Sequence, residues 1–250
     1  MPKRLSFQLY SARNFGPWEP ILAHLAKCGY REVEGFGGVY GKPEQFRALL
    51  DKHGLTMPTG HVFPAEMFET DRKKVLRIAR VLGLNTLYCP YIAEEVRPKS
   101  GAAWKAFGKR LGEIGKWLRE EGFCFGWHNH DFEFVKLKDG SRPIERIFEG
   151  GPMLEWQCDL AWVAFAGENV LRWLKAHGER ITAVHIKDNA PKGEKRDEHG
   201  QTDVGAGTMD WKPILSALKN TRCRHFVIEH DDPKDYKSFA KRSFDFVSRQ

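Results

Sequence analysis

The chain has 250 residues, of which 41% are hydrophobic and 29% charged, as is usual for globular proteins. Its formal charge of +7 is spread along the sequence rather than concentrated in a stripe or tail, which argues against a nucleic-acid partner. No run reaches the ~18 apolar residues of a membrane span, and the N-terminus is too short in its apolar part for a signal peptide. The five cysteines form no CxxC pair, which fits a reducing compartment. We therefore expect a cytoplasmic protein with no membrane partner.

Strand-like and helix-like segments alternate along the whole chain, without a linker rich in Pro, Gly or Ser. Eight apolar segments predict strands, and helical spacing of apolar residues follows each one. The predicted strands are Leu5–Tyr10, Tyr30–Phe36, Leu55–Phe63, Asn85–Tyr91, Phe123–His128, Leu154–Asp159, Ile181–Lys187 and His225–Glu229. The predicted helices are Pro17–Cys28, Pro43–His53, Arg72–Leu82, Ala102–Glu121, Ile144–Phe148, Asn169–His177, Asp210–Leu218 and Asp235–Val247.

Repeated βα units predict a parallel sheet, and eight of them favour one closed (β/α)8 TIM barrel, a single domain over residues 1–250. An open doubly wound sheet is the alternative. The glycine-rich stretch GFGGVYG at 35–41 lacks the spacing of a dinucleotide fingerprint, and no Walker lysine motif lies near it. We interpret this stretch as a loop, and the basic cluster Lys192–Arg196 as part of a long solvated loop.

Four later strands end in polar residues, where the active sites of such barrels form. In chain order these residues are His128, Asp159, His185 and Glu229. Two imidazoles and two carboxylates suit one divalent ion such as Mn²⁺, Co²⁺, Zn²⁺ or Fe²⁺ better than Ca²⁺ or Mg²⁺. We expect a metal site there; the alternative is four separate hydrogen-bonded side chains.

Several motifs in the same order resemble the xylose isomerase-like TIM-barrel superfamily of sugar isomerases and epimerases. They are WHNHDFEF at 127–134, QCDLAWVAFAG at 157–167, RITAVHIKD at 180–188, TDVGAGTMDW at 202–211 and VIEHDDP at 227–233. The resemblance covers nearly the whole chain and implies a metal-dependent enzyme acting on a small carbohydrate. Epimerases of the superfamily hold the metal with Glu, Asp, His and Glu, and His128 falls at the position of the first Glu.

The resemblance implies that the metal polarises a carbonyl group and that a base removes the neighbouring proton, giving an enediolate intermediate. Glu229 is the first candidate for this base. Return of the proton elsewhere makes an isomerase or epimerase of a keto-sugar or polyol, which is our leading prediction. Loss of a β-oxygen makes a lyase, dehydratase or hydratase, like inosose dehydratase or a 3-keto-glycoside lyase. His128 argues against two opposed carboxylate bases, which leaves a one-base isomerisation, a β-elimination or a hydration open.

Six further residues are candidates for the site. His130 is a candidate acid, substrate contact or partner of a ligand, and Lys187 is a candidate catalytic residue that binds a substrate oxygen. The candidates for substrate binding are Glu34, His61, Trp162 and Glu133.

Two other functions compete with these. A DNA-repair endonuclease of the superfamily requires two or three zinc ions and additional histidines, whereas the early strands here offer only His61. A non-catalytic barrel that acts as a binding or partner subunit is the other, and failure to bind metal would favour it. A homo-oligomer stays open, since the sequence identifies no interface.

Overall fold

The computed structural model describes residues 5–250 and contains a closed barrel of eight parallel strands. Each strand pairs with its neighbours in chain order, and the first strand closes the ring by pairing with the last. The predicted (β/α)8 barrel is therefore confirmed. The barrel strands are β1 (Leu5–Gln8), β2 (Glu32–Gly35), β3 (Thr56–His61), β4 (Thr86–Cys89), β5 (Cys124–His128), β6 (Glu155–Asp159), β7 (Ile181–Ile186) and β8 (His225–Ile228).

Ten α-helices are described between and after the strands, and their apolar faces cover the outside of the barrel. No described helix is both long enough and apolar enough to cross a membrane. The helices are α1 (Trp18–Cys28), α2 (Pro43–Lys52), α3 (Met67–Thr70), α4 (Arg72–Leu82), α5 (Gly101–Glu120), α6 (Pro143–Gly150), α7 (Leu160–Phe165), α8 (Val170–His177), α9 (Trp211–Leu218) and α10 (Tyr236–Ser248).

Strand register places the polar strand ends beside one another. Asp159 of β6 pairs directly with His185 of β7, and His128 of β5 pairs with Gln157 of β6. Side chains alternate along a strand, so Gln157 and Asp159 share one face of β6. Gly126 lets β5 and β6 approach, because a Cβ atom there would lie 2.4 Å from the Glu155 carbonyl oxygen.

Several predicted strands continue past the observed carboxyl ends. Tyr10, Phe36, Phe63 and Tyr91 all lie beyond the last strand residue, and Leu9–Ala12 forms a 3-10 turn. Aromatic residues at these positions extend the apolar pattern of each strand into its loop, which explains the error. These four side chains are exposed or partly exposed.

The loop after β7 has more structure than its composition indicated. Asp188–Asn189 and Gln201–Thr202 form a short antiparallel hairpin within it. Asp188 explains the order, since its carboxylate accepts hydrogen bonds from the backbone nitrogens of Gly205 and Met209, at 2.8 and 3.1 Å. Lys192–Arg196 is exposed, as predicted.

Candidate active site at the carboxyl end of the barrel

Two groups of polar side chains meet at the carboxyl end of the barrel, and they share the His185 ring. The acidic cluster consists of Asp159, Glu229 and Asp231 around the ammonium of Lys187. The histidine cluster consists of His61, His128 and His185 with Gln157 and Glu34. The two groups draw on β2, β3, β5, β6 and β7 and on the residues that follow β7 and β8.

The acidic cluster surrounds one buried lysine. The Lys187 Nζ lies 2.8 Å from Asp231 Oδ1, 2.9 Å from Glu229 Oε2 and 3.2 Å from Asp159 Oδ2. Burial opposes its charge, but these carboxylates hold the pKa of Lys187 well above its usual value. Lys187 is therefore a cation at neutral pH, and it balances one of the three carboxylates.

The histidine cluster is organised by an amide. Gln157 Oε1 lies 2.6 Å from His61 Nε2 and 3.1 Å from His128 Nδ1, and Gln157 Nε2 donates to Glu34 Oε2 at 2.6 Å. Burial lowers the pKa of both His61 and His128, the latter well below its usual range. Both rings are therefore neutral at pH 7, and the amide oxygen accepts a hydrogen bond from each.

His185 joins the two clusters through its two ring nitrogens. Nδ1 lies 2.6 Å from Glu229 Oε2 and 3.8 Å from Asp159 Oδ2, whereas Nε2 lies 2.6 Å from Glu34 Oε1. Burial opposes a charge on this ring, but Glu229 and Glu34 raise the pKa of His185 to about 10. Burial likewise opposes a charge on Glu34, but His61 and His185 lower its pKa to about 2.

The residues present fit a divalent metal ion. One ligand atom each from Asp159, His185 and Glu229 lie within 4.8 Å of one another, and all three side chains are buried. Burial raises the pKa of Asp159, and apart from its ion pair with Lys187 Nζ at 3.2 Å, its Oδ2 accepts no hydrogen bond within the described residues. Nitrogen and carboxylate ligands of this kind suit transition-metal ions.

The structure divides the four predicted ligands between the clusters. His128 belongs to a second group of potential ligand atoms, with His61 and His185, rather than to the group of Asp159 and Glu229. The reason is register: His128 pairs with Gln157, which lies two residues before Asp159 along β6, whereas Asp159 pairs with His185. The ligand role of His128 stays a prediction.

Two predicted substrate contacts have internal partners instead. Glu133 is fully buried, and its carboxylate accepts hydrogen bonds from Trp127 Nε1 at 3.0 Å and the His130 backbone nitrogen at 2.9 Å. Burial raises the pKa of Glu133 to about 8. Glu34 is also fully buried, beneath His185. Both carboxylates therefore hold neighbouring residues in place, and their predicted role in substrate binding stays a prediction.

His130 and Trp162 adjoin the two clusters, whereas His61 is buried within the histidine cluster. The His130 ring is partly exposed and lies between the rings of His128 and Trp162, with centroid distances of 5.1 and 5.7 Å. Burial lowers the pKa of His130 to about 4, so it is neutral at pH 7. A neutral ring in this place is suited to a hydrogen bond with substrate.

Four residues of the site were missed by sequence reasoning. Gln157 is two residues before Asp159, a spacing that puts both on one face of a strand and was the available signal. Asn129 Oδ1 accepts hydrogen bonds from the Asp159 backbone nitrogen at 3.0 Å and from the Trp156 indole at 2.8 Å. The others are Asp231 beside Lys187 and Gln8, which donates to Glu34 at 2.8 Å.

With this fold and site, the chain belongs to the xylose isomerase-like TIM barrel family, whose sequence model matches residues 22–249. It is 24% identical to the rhizopine catabolism protein MocC of Rhizobium meliloti, across 93% of this chain and 81% of the relative. It is 23% identical to an inosose dehydratase of Clostridium perfringens, across 50% of this chain and 46% of the relative. The family is enzymatic and includes isomerases, epimerases and dehydratases that act on small sugars and related compounds.

Solved structures share the fold. A sugar phosphate isomerase/epimerase from Parabacteroides distasonis superposes with a TM-score of 0.81 at 19% identity, covering 99% of this chain and 94% of that one. The IOLI protein, crystallised with a bound zinc atom, gives a TM-score of 0.73 at 19% identity, covering 98% and 95%. At these identities the likeness supports the barrel and leaves the substrate open.

Proposed function

We propose that this protein is a metal-dependent isomerase or epimerase that moves a proton next to the carbonyl group of a small keto-sugar or keto-polyol. The convergence of Asp159, His185 and Glu229 at the carboxyl end of the barrel carries this proposal. When bound there, a divalent ion such as Mn²⁺, Co²⁺, Zn²⁺ or Fe²⁺ acts as a Lewis acid that makes the neighbouring C–H group more acidic.

Glu229 is the proposed base. Burial opposes its charge, but His185 and Lys187 hold its pKa well below the usual value, so it is ionised and can accept a proton. The neutral rings of His61 and His128 lie beside His185, with centroids 5.3 and 4.5 Å from that ring. These imidazoles offer candidate proton acceptors other than Glu229, where relatives with two glutamates use the second one.

Dehydration is the second candidate, and Lys187 favours it. An elimination needs an acid for the leaving hydroxyl group close to the base that takes the proton. The ammonium of Lys187 is 2.9 Å from Glu229 Oε2, so an acid and a base are adjacent in the acidic cluster. The similarity to an inosose dehydratase supports the same reaction.

Solvent isotope exchange tests the proposal and separates its two forms. Chelator-treated protein reloaded with Mn²⁺ is incubated with keto-hexoses and keto-inositols in D₂O and followed by NMR and ultraviolet absorbance. Deuterium beside the carbonyl without loss of water indicates isomerase or epimerase chemistry, whereas an enone product indicates dehydration.

The variant Glu229→Gln should lower exchange by about 10²- to 10⁴-fold, the usual contribution of a positioned base. Glu95→Gln, an exposed acid on the same end of the barrel, is the matched control and should retain full exchange. Unchanged exchange in Glu229→Gln would refute the assigned base, and wild-type protein inactive on every keto compound would refute the function.

A further inference from the structure

Aromatic side chains follow four consecutive strands and form one continuous surface, here called the aromatic wall. Its members come from the loops after β3, β4 and β5 and from α7. Successive centroids are 6.0 Å apart from Phe63 to Tyr91, 5.9 Å from Tyr91 to Phe132 and 5.3 Å from Trp162 to Phe165. His130 connects the two parts, 5.2 Å from Tyr91 and 5.7 Å from Trp162.

The wall leads from the candidate active site to solvent. At its inner end, the Lys187 ammonium lies 5.3 Å from the Trp162 ring centroid, and the His130 ring lies 5.1 Å from that of His128. At its outer ends, Phe63 is 45% exposed and Phe165 is 58% exposed. Single exposed apolar residues need no explanation, but a contiguous set beside an active site indicates a binding surface.

Polar atoms within the wall give it the character of a sugar site. His130 Nδ1 and Trp162 Nε1 are buried and have no hydrogen-bond partner within the described residues. A sugar ring presents an apolar face to an aromatic ring and hydroxyl groups at its edge, so it complements flat rings interspersed with such nitrogens.

The arginine beside the wall supports the rings. The Arg97 guanidinium lies 3.6 Å from the Phe132 ring centroid, and its Nη2 donates to the Tyr91 hydroxyl at 2.7 Å. Arg97 Nε donates to the Ile92 carbonyl oxygen at 3.2 Å. These internal contacts hold Tyr91 and Phe132 in place, and they leave the wall suited to an uncharged ring rather than to a phosphate group.

We infer that the aromatic wall is a second subsite, which binds an uncharged ring glycosidically attached to the reacting sugar. The substrate is then a keto-glycoside rather than a free or phosphorylated monosaccharide. This inference rests on the proposed function, since the wall has this meaning only if the adjoining site acts on a sugar. A second sugar and an aryl group share the required chemistry, so the experiment distinguishes them.

Isothermal titration of the Mn²⁺-loaded protein with four unreactive probes tests the inference. The probes are methyl β-glucoside, phenyl β-glucoside, cellobiose and glucose 6-phosphate. We expect at least one two-ring probe to bind about three- to tenfold more tightly than methyl β-glucoside, the gain from one aromatic contact. Preference for cellobiose identifies a sugar in the subsite, and preference for phenyl β-glucoside identifies an aryl group.

The exposed positions Phe63 and Phe165 allow substitution without opening the core. Phe63→Ala and Phe165→Ala together should remove the preference for two rings and leave the affinity for methyl β-glucoside within about twofold. Met153→Ala is the control, because Met153 is 68% exposed and precedes β6 at the other end of the barrel.

Three results would overturn the inference: equal binding of one-ring and two-ring probes, tighter binding of glucose 6-phosphate, or no measurable binding of either two-ring probe. Deuterium exchange on a free monosaccharide in the same preparation would then show that the proposed function stands without the second subsite.

Discussion

The acidic cluster and the histidine cluster lie side by side, and burial opposes charge in both, yet the outcome differs: Lys187 and Glu229 stay charged, whereas His61 and His128 stay neutral. In the acidic cluster, Lys187 compensates part of the charge of three carboxylates. In the histidine cluster, burial keeps His61 and His128 neutral, and the Gln157 amide satisfies both rings. One side of the site is therefore built to attract a cation, and the other to hold neutral rings in fixed orientations.

This difference separates metal binding, which we assign to the acidic cluster, from the orientation of His185, which we assign to the histidine cluster. Carboxylates in excess over their internal cation favour a divalent ion, while imidazoles tied to an amide need no ion for their stability. His185 belongs to both clusters, because Nδ1 faces the carboxylates and Nε2 is fixed by Glu34. Substitutions on the acidic side should therefore change metal content, and those beneath His185 should change metal affinity.

The largest expected effect is the loss of bound metal when His185 and Glu229 are replaced together. We expect wild-type protein purified without chelator to carry about one divalent ion per chain, held by the three converging side chains. In His185→Ala/Glu229→Gln, two of the three ligands are lost, and metal content measured by plasma emission spectroscopy should fall to background. His199→Ala/Glu95→Gln, a pair of exposed residues, is the control. Unchanged metal in the first variant would place the ion elsewhere.

The next largest expected effect is the loss of unfolding free energy when Lys187, the cation of the acidic cluster, is replaced. Lys187→Met leaves Asp159, Glu229 and Asp231 without their ammonium, and the loss of one partner from such a buried group costs about 3–5 kcal/mol. Urea unfolding of metal-free protein measures this free energy. Excess Mn²⁺ should restore part of it, because an ion that binds only the folded state stabilises it.

Lys195→Met is the control for that experiment. Lys195 pairs with Glu198 at 2.7 Å, but its side chain is 49% exposed, and such a pair contributes less than about 1 kcal/mol. An equal loss of unfolding free energy in Lys187→Met and Lys195→Met would show that Lys187 has no special place in the acidic cluster.

The sequence predicts the barrel and the acidic side of the site for the same reason. Eight alternating units are a local pattern, and the strand that ends at Asp159 neighbours the one that holds His185. The convergence of Asp159, His185 and Glu229 therefore follows from strand order. Their role as metal ligands, in contrast, stays a prediction.

The histidine cluster was harder to predict, because its contacts cross the barrel. Glu34 and His185 are 151 residues apart and Glu34 and Gln157 are 123 apart, so no local pattern relates them. The position of a side chain across the axis depends on how the closed sheet is staggered, which single strands do not reveal. Sequence reasoning therefore did not relate Glu34 to His185, and the substrate-binding role of Glu34 stays a prediction.

Glu34→Gln should have the smallest of the three effects, a reduced metal affinity. It tests whether the histidine cluster positions the predicted ligand His185. The substitution keeps the shape of the side chain but removes the charge that faces His185 Nε2, 2.6 Å away. Loss of such a partner lowers metal affinity by about 10- to 100-fold, which competition with a chromophoric chelator measures.

Glu133→Gln is the matched control for Glu34→Gln, because Glu133 is also a fully buried glutamate but contacts Trp127 and the His130 backbone instead of His185. Metal affinity should stay within about twofold in this control, since the ligand side chains keep their partners. Equal losses in the two variants would show that any buried substitution loosens the site. A loss confined to Glu34→Gln would show that a residue of the histidine side, in contact with no carboxylate of the acidic cluster, sets the affinity of that cluster through the His185 ring.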